Sequence, residues 1–267
     1  MFQYNAKVMV AEDNKTNQRL AMAMLQRFGI TPIVVENGAE ALLEYKKSYE
    51  SKEPFDLIFM DIHMPIMNGM EATAEIISFE EDLYLKHVPI IALTADAIKG
   101  KEEEYLNIGM DSFLSKPIDK AKFNDKIMGY LKHCVSEEKN EAESLVLKEV
   151  SQTPVNDENS IMTLKASIVS EELGLDMDIA LDLVQNFYEN VEVQIKDLGE
   201  AIKEHNHEVT RSISHSIKGA AGSLRLDDIY ELCKEIEENS KAHVESYQYR
   251  EKFMKLKTKI FGKNDDE

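Results

Sequence analysis

Cysteine is scarce in this chain. Only Cys134 and Cys233 occur, about a hundred residues apart and in no CxxC pair, so neither a disulfide scaffold nor a zinc site is supported. Glycine (11) and proline (6) are too few for a collagen-like or low-complexity chain. No apolar stretch approaches the roughly 20 residues that a membrane helix needs, and residues 1–10 lack the make-up of a secretory signal. A cytoplasmic protein without a membrane segment is therefore expected. Basic residues are outnumbered 31 to 50, and the resulting charge of −19 repels phosphate backbones and anionic lipid. With no basic patch to offset that field, no nucleic-acid partner is expected. Neither a GxGxxG nor a P-loop motif is present, so the chain carries no recognisable kinase ATP-binding site.

What is present is enough for a large core. Hydrophobic residues make up 43% of the 267 and charged residues 30%, which fits a globular chain. One domain usually takes about 100–200 residues, so two are expected. In the first half, apolar runs at 7–10, 33–35, 57–60, 90–93 and 112–114 read as buried strands, each followed by a helical pattern such as Leu20, Met24 and Phe28. This alternation predicts an α/β doubly wound, five-stranded parallel sheet over residues 1–134, with its ligand site at the carboxyl ends of the strands. Residues 135–160 carry seven acidic residues and two lysines from 136 on and read as an acidic flexible linker, with a short local contact at 145–147. Such a linker would span roughly 28 Å, which lets the flanking halves meet without requiring it. Beyond it, five apolar stripes at helical spacing predict an all-α antiparallel helix bundle over 161–267, opened by a small helix at about 161–173.

Three carboxylates should converge in the first half. Glu12 and Asp13 follow the first run and Asp61 follows the third, and these strand ends are neighbours in a doubly wound sheet. Two unit charges about 4 Å apart cost on the order of 4 kcal/mol at an effective dielectric of 20, so the cluster calls for a divalent cation. Oxygen-only ligands suit Mg²⁺. Thr94, after the fourth run, and Lys116, past the fifth, should point into the same mouth. A hydroxyl, an ammonium and a metal beside one carboxylate form a clamp for a transferring phosphoryl group, with Asp61 as the nucleophile.

These residues lie in VAEDN (10–14), FMDIHMPIMNGMEA (59–72), ALTADA (92–97) and FLSKP (113–117). In combination the four segments resemble the receiver domain of two-component response regulators, a flavodoxin-like fold, over about residues 6–133. The resemblance implies that Asp61 accepts phosphate and that Glu12, Asp13, Asp61 and the backbone carbonyl of His63 hold Mg²⁺. It further implies that Thr94 and Lys116 contact the phosphoryl group, that Lys116 precedes a cis proline, and that Ala95 leaves the pocket open. Phe113 matches the aromatic position that moves with Thr94 as a switch. Asn68 stands where an Asp is more usual, and it keeps the turn chemistry.

In the second half, RSISHSIKGAAGSL places Ile213, Ile217, Ala220 and Leu224 on one helix face and His215 nearly opposite, exposed. Arg211, Lys218, Gly219 and Gly222 cluster around it. Each helical glycine costs roughly 1 kcal/mol relative to Ala, which suggests that a partner surface docks closely there. An imidazole is a competent nucleophile, and Lys218 could neutralise a phosphoryl group on it. HSIKGAAGSL (215–224) resembles the His-x-x-Lys-Gly-x-x-x-x-Leu motif of histidine phosphotransfer (HPt) domains, departing from many of them at Arg225-Leu226. That resemblance implies phosphate acceptance at His215, supported by Lys218 and Gly219.

The two readings together predict a phosphorelay protein of a two-component system. Asp61 takes phosphate from a histidine kinase, and His215 exchanges phosphate with a receiver aspartate of this or another response regulator. Whether the chain is the C-terminal part of a hybrid histidine kinase or a complete stand-alone relay is left open, as is its standing as an enzyme. The rival from another class is a phosphorylation-switched adaptor whose bundle only docks partners. A Mg²⁺-dependent phosphatase is disfavoured, because His63 stands where its acid/base carboxylate would be.

Overall fold

A computed structural model describes residues 3–94, 101–136, 157–244 and 248–261. The first half comprises β1 (Gln3–Tyr4), β2 (Val8–Ala11), α1 (Lys15–Gln26), β3 (Ile33–Val35), α2 (Gly38–Glu50), β4 (Leu57–Asp61), α3 (Gly69–Asp82), β5 (Ile90–Thr94), α4 (Lys101–Ile108), β6 (Ser112–Ser115) and α5 (Lys120–Tyr130). A 3-10 turn (Lys132–Cys134) and β7 (Val135–Ser136) close it. Strands β2 to β6 form one parallel sheet in the order β3-β2-β4-β5-β6. The chain leaves β2 towards one edge to make β3 and returns on the other side to make β4, so the crossovers part at the carboxyl ends of β2 and β4 and open a crevice there.

Both sheet faces are covered, which is why the strands read as continuous apolar runs. Val8, Val10, Leu57, Phe59, Ile91 and Leu93 face one buried cluster. Their alternates Met9, Ala11, Ile58, Met60, Ile90 and Ala92 face the other. Asparagines start several helices: Asn14 caps α1 through Thr16 and Asn17 N–H, and Asn68 caps α3 in a reciprocal box with Glu71.

The helical half consists of α6 (Asp157–Leu173), α7 (Met177–Lys203), α8 (His207–Ser223), α9 (Asp227–Lys241) and α10 (Tyr249–Phe261). The apolar stripe Ile179, Leu183 and Phe187 and the next, Val191, Ile195, Leu198 and Ile202, lie on the single 27-residue α7, because no Gly or Pro interrupts the stretch around Asn190. The opening helix begins at Asp157 rather than near 161. Val135 and Ser136, expected in the linker, instead pair antiparallel with Tyr4 and Gln3; positions 137–156 of that expected linker lie outside the described residues. Residues 145–147 and Ala95 lie outside the described residues. Among the described residues, no helix is long and apolar enough to cross a membrane.

The halves meet on α1. Eight of its twelve residues are buried. One apolar cluster runs from the sheet face through Leu20 and Met24 into Leu183, Phe187 and Ile217 of the bundle. Polar contacts flank it: Arg19 Nη1 to Asp182 Oδ2 at 2.9 Å and Arg27 Nη1 to the Leu173 carbonyl at 3.2 Å. Arg225 Nη2 reaches the Ile118 carbonyl at 3.5 Å. An exposed ion pair contributes at most about 1 kcal/mol, whereas burying one large apolar side chain contributes about 1.5–3 kcal/mol. The apolar contact therefore dominates the union of the halves.

Candidate functional site

Glu12, Asp13 and Asp61 each present a carboxylate oxygen within 4.8 Å of the others. Glu12 and Asp61 are 1% and 4% exposed, while Asp13 is open to solvent. Lys116 Nζ lies 2.6 Å from both Glu12 Oε2 and Asp61 Oδ2. It is placed by the bond of its backbone N–H to the Thr94 carbonyl and is followed by a cis Lys116–Pro117 peptide. Asn17 Nδ2 donates to Glu12 Oε1 at 2.9 Å, and His63 N–H donates to Asp61 Oδ1 at 3.2 Å. Gly69 is indispensable to this loop: a Cβ there would fall 2.1 Å from the Asp61 carbonyl oxygen.

The crevice holds more negative charge than Lys116 offsets. Burial pushes the Glu12 carboxyl up to about 7, with Lys116 opposing and Asp61 reinforcing. Although the Asp13 side chain reaches solvent, the loss of water on its crevice side, helped by Glu12, pushes it up to about 6. Burial likewise raises Asp61 against the pull of Lys116. The Lys116 ammonium is disfavoured by burial, but Asp61 and Glu12 outweigh this and raise its pKa. A second cation would relieve all three carboxyls. The donor set is hard oxygen throughout, so the site fits Mg²⁺ better than a softer metal.

Across α1 stands His215 on α8. Its Nδ1 lies 2.8 Å from Oε1 of Glu237 on α9, whose Oε2 accepts from Lys218 Nζ at 2.5 Å. The neighbouring Ser216 is held from both sides, by Asn14 Nδ2 at 3.1 Å and Gln194 Nε2 at 2.9 Å on its Oγ. The His63 and His215 rings meet edge to face, 5.5 Å between centroids. A cavity of about 490 Å³ is lined by Asp13, Asp61, His63 and Lys116 from one half and by Arg211 and His215 from the other.

Residues 8–128 match the family model of the response regulator receiver domain, and residues 182–255 match that of the Hpt domain. The chain is 37% identical over 124 residues to the polar-differentiation response regulator DivK of Brucella anthropi, covering 46% of this chain and 94% of that protein. The chain belongs to the response regulator receiver family. Its receiver domain is followed by an Hpt domain. It is also 42% identical over 113 residues to hybrid signal transduction histidine kinase I of Dictyostelium discoideum, spanning 42% of this chain but only 6% of that kinase. A solved receiver domain of a sensor histidine kinase from Pseudomonas aeruginosa, with a magnesium ion coordinated in its active site cleft, is 32% identical. It covers 48% of this chain and 98% of that one, with a TM-score of 0.41.

The receiver brings Glu12, Asp13, Asp61 and Lys116 together at its strand ends. Thr94 is fully buried at the end of β5, and its hydroxyl meets Tyr105 on α4 at 3.0 Å; it does not line the cavity. Phe113 is part-buried against the second cluster. In the Hpt domain, His215 was expected to be exposed, but its side chain is only 32% exposed. The helical wheel sets the face and ignores what packs on it, here α9 and the receiver. Gly219 lies on the receiver side, where a Cβ would meet Asn17 Nδ2 at 3.9 Å. Gly222 differs: a Cβ would fall 2.9 Å from the Tyr230 ring of its own bundle and 3.8 Å from Pro117. Arg211 stands exposed at the cavity rim. Glu237, Asn14 and Ser216 escaped the sequence reading. Glu237 is one of several glutamates on α9, and nothing in the sequence singles it out.

Proposed function

We propose that this chain is a phosphorelay module in which a phosphoryl group passes between Asp61 of the receiver and His215 of the Hpt domain within one molecule. The observation that carries this reading is the single cavity lined by both acceptors. The phosphoryl group would leave a histidine kinase's phosphohistidine and bond to Asp61, or return by the same route, and His215 is the second station. Glu12, Asp13, Asp61 and the backbone carbonyl of His63 would hold Mg²⁺. When bound, it would neutralise the crevice and the charge on the transferring group. Lys116 does the same from the other side, and Thr94, moved from Tyr105, would follow the phosphoryl group together with Phe113. Lys218 screens the group on His215, while Arg211, Gly219 and Gly222 serve docking. We take the receiver to end with β7 and the Hpt domain to begin with α6, and we assign the module to the cytosol.

The test loads the chain with labelled acetyl phosphate and Mg²⁺ and separates base-labile phospho-Asp from acid-labile phospho-His. Label should reach His215 at a rate independent of protein concentration. Asp61→Asn should abolish it, and His215→Gln should trap label on Asp61. A mixture of these two variants cannot transfer within one chain, so its rate should rise with concentration. Acid-stable label that is indifferent to His215→Gln would defeat the relay and favour an adaptor.

A further inference from the structure

We infer that Asp56, His133 and Cys134 form a further metal site, one that takes Zn²⁺ at the end of the receiver opposite its acidic crevice. Their ligand atoms, a carboxylate oxygen, an imidazole nitrogen and a thiol sulfur, all lie within 4.8 Å of one another. Asp56 stands just before β4 and Asp61 ends it, so the site lies roughly 16 Å from the crevice at about 3.3 Å per strand residue. Asp56 Oδ1 and His133 Nε2 are 3.8 Å apart. That is too far for a hydrogen bond and close to the roughly 3.3 Å edge of a tetrahedron whose centre lies about 2.0 Å from each atom. A small rotation of His133, exposed on its 3-10 turn, closes the difference.

Backbone groups hold the other two ligands. Asp56 Oδ2 accepts from the Lys7 N–H at 2.8 Å, which orients the carboxylate and leaves Oδ1 for the ion. The Cys134 carbonyl accepts from the Asn5 N–H at 2.8 Å, and its own N–H donates to the Leu131 carbonyl at 2.9 Å, while the side chain packs part-buried against the receiver core. Mg²⁺ takes oxygen ligands, whereas one thiolate, one imidazole and one carboxylate are the donor types of Zn²⁺. Three protein ligands leave the fourth position to water. Binding replaces the thiol proton, which passes to solvent. The ion would join the start of β4 to the turn from which the chain leaves the receiver. No CxxC spacing announces such a site, because only folding brings Asp56 to His133 and Cys134.

Co²⁺, which shares the tetrahedral preference of Zn²⁺ and is coloured, tests this on the full chain under reducing conditions. One Co²⁺ per chain should give a near-ultraviolet thiolate charge-transfer band, and Zn²⁺ should remove it by displacement. The crevice offers carboxylates only, so Co²⁺ bound there adds no such band. Cys134→Ser should abolish the band, since Cys233, the other cysteine, is fully buried. Asp56→Asn and His133→Ala should each weaken Zn²⁺ binding, measured by competition with a chromophoric chelator, at least ~10-fold, the least that losing even a partner of a metal ligand costs. The His133 side chain is 58% exposed, so His133→Ala keeps the fold and decides the matter if another variant does not. Zn²⁺ should also raise the melting temperature of the wild type more than that of His133→Ala. No band in the wild type, a band that persists in Cys134→Ser, or a Zn²⁺ affinity indifferent to His133→Ala would overturn the inference.

Discussion

Asn14 does two jobs at one junction: its Oδ1 caps α1 through the N–H groups of Thr16 and Asn17, while its Nδ2 reaches Oγ of Ser216, the residue after His215. The residue that starts α1 thus also holds the neighbour of the acceptor histidine. Asn14→Ser keeps a capping oxygen without adding charge to the crevice and removes the amide donor. It should leave thermal stability nearly unchanged but slow transfer from Asp61 to His215. Asn14→Ala should also lose about 1 kcal/mol of stability with the cap. Ser216→Ala loses the Oγ bonds to Asn14 across the junction and to Gln194 within the bundle and should cost about 1–2 kcal/mol of stability. Single-turnover transfer rates paired with melting curves check all three.

Removing the metal should show at the crevice first. At a free Mg²⁺ concentration ten times its dissociation constant, the native state should gain about 1.4 kcal/mol over an EDTA-treated sample. Asp13 is exposed, so Asp13→Asn should not harm the apo fold. It should cut the Mg²⁺-induced rise in melting temperature, because one of three converging carboxylates is gone. An equal rise in both proteins would dismiss Asp13 as a ligand.

His87 ties α3 to the loop before β6, with Nδ1 2.7 Å from Glu80 and Nε2 3.0 Å from Asp111. The bonds to Asp111 and then Glu80 raise its pKa from 6.5 to about 10, with burial opposing. A pKa raised on folding stabilises the protein in full below about pH 6.5, and that contribution is lost as the pH climbs through about 10. The side chain is 40% exposed, so solvent screening limits the effect to about 1 kcal/mol. His87→Gln should therefore lower the urea midpoint most at pH 6, and the gap from wild type should close by about pH 10.5.

Much of this arrangement is legible in the sequence, for a physical reason. A parallel sheet covered on both faces writes itself as apolar runs, and the residue after each run must lie at the crevice, so Glu12, Asp13, Asp61 and Lys116 could be placed without coordinates. What periodicity cannot encode is which surfaces of two domains meet. The half-burial of His215 depends on Glu237 of α9 and on His63 of the receiver, and the turn of Thr94 towards Tyr105 depends on a helix packed across the sheet. The pairing of His215 with Glu237 spans 22 positions and two helices, and no local pattern separates Glu237 from its acidic neighbours.

The two glycines flanking Ala220 and Ala221 show the same limit, and they can be told apart by experiment. Both carry the same intrinsic cost of about 1 kcal/mol in a helix, yet the space around them differs. A methyl group on Gly219 meets only Asn17 Nδ2 at 3.9 Å, an ordinary contact. Gly219→Ala should therefore stabilise α8 by up to about 1 kcal/mol and leave transfer intact. A longer side chain there must displace α1, so Gly219→Leu should slow transfer within the chain while phosphoramidate labelling of His215 persists. On Gly222 a methyl group would lie 2.9 Å from the Tyr230 ring. Gly222→Ala should thus cost about 1–3 kcal/mol by overpacking α8 against α9, and the paired change Gly222→Ala with Tyr230→Leu should recover most of it. Melting curves for the single and double variants decide the matter: full recovery assigns Gly222 to the bundle's own packing, and no recovery dismisses the Tyr230 ring as the cause.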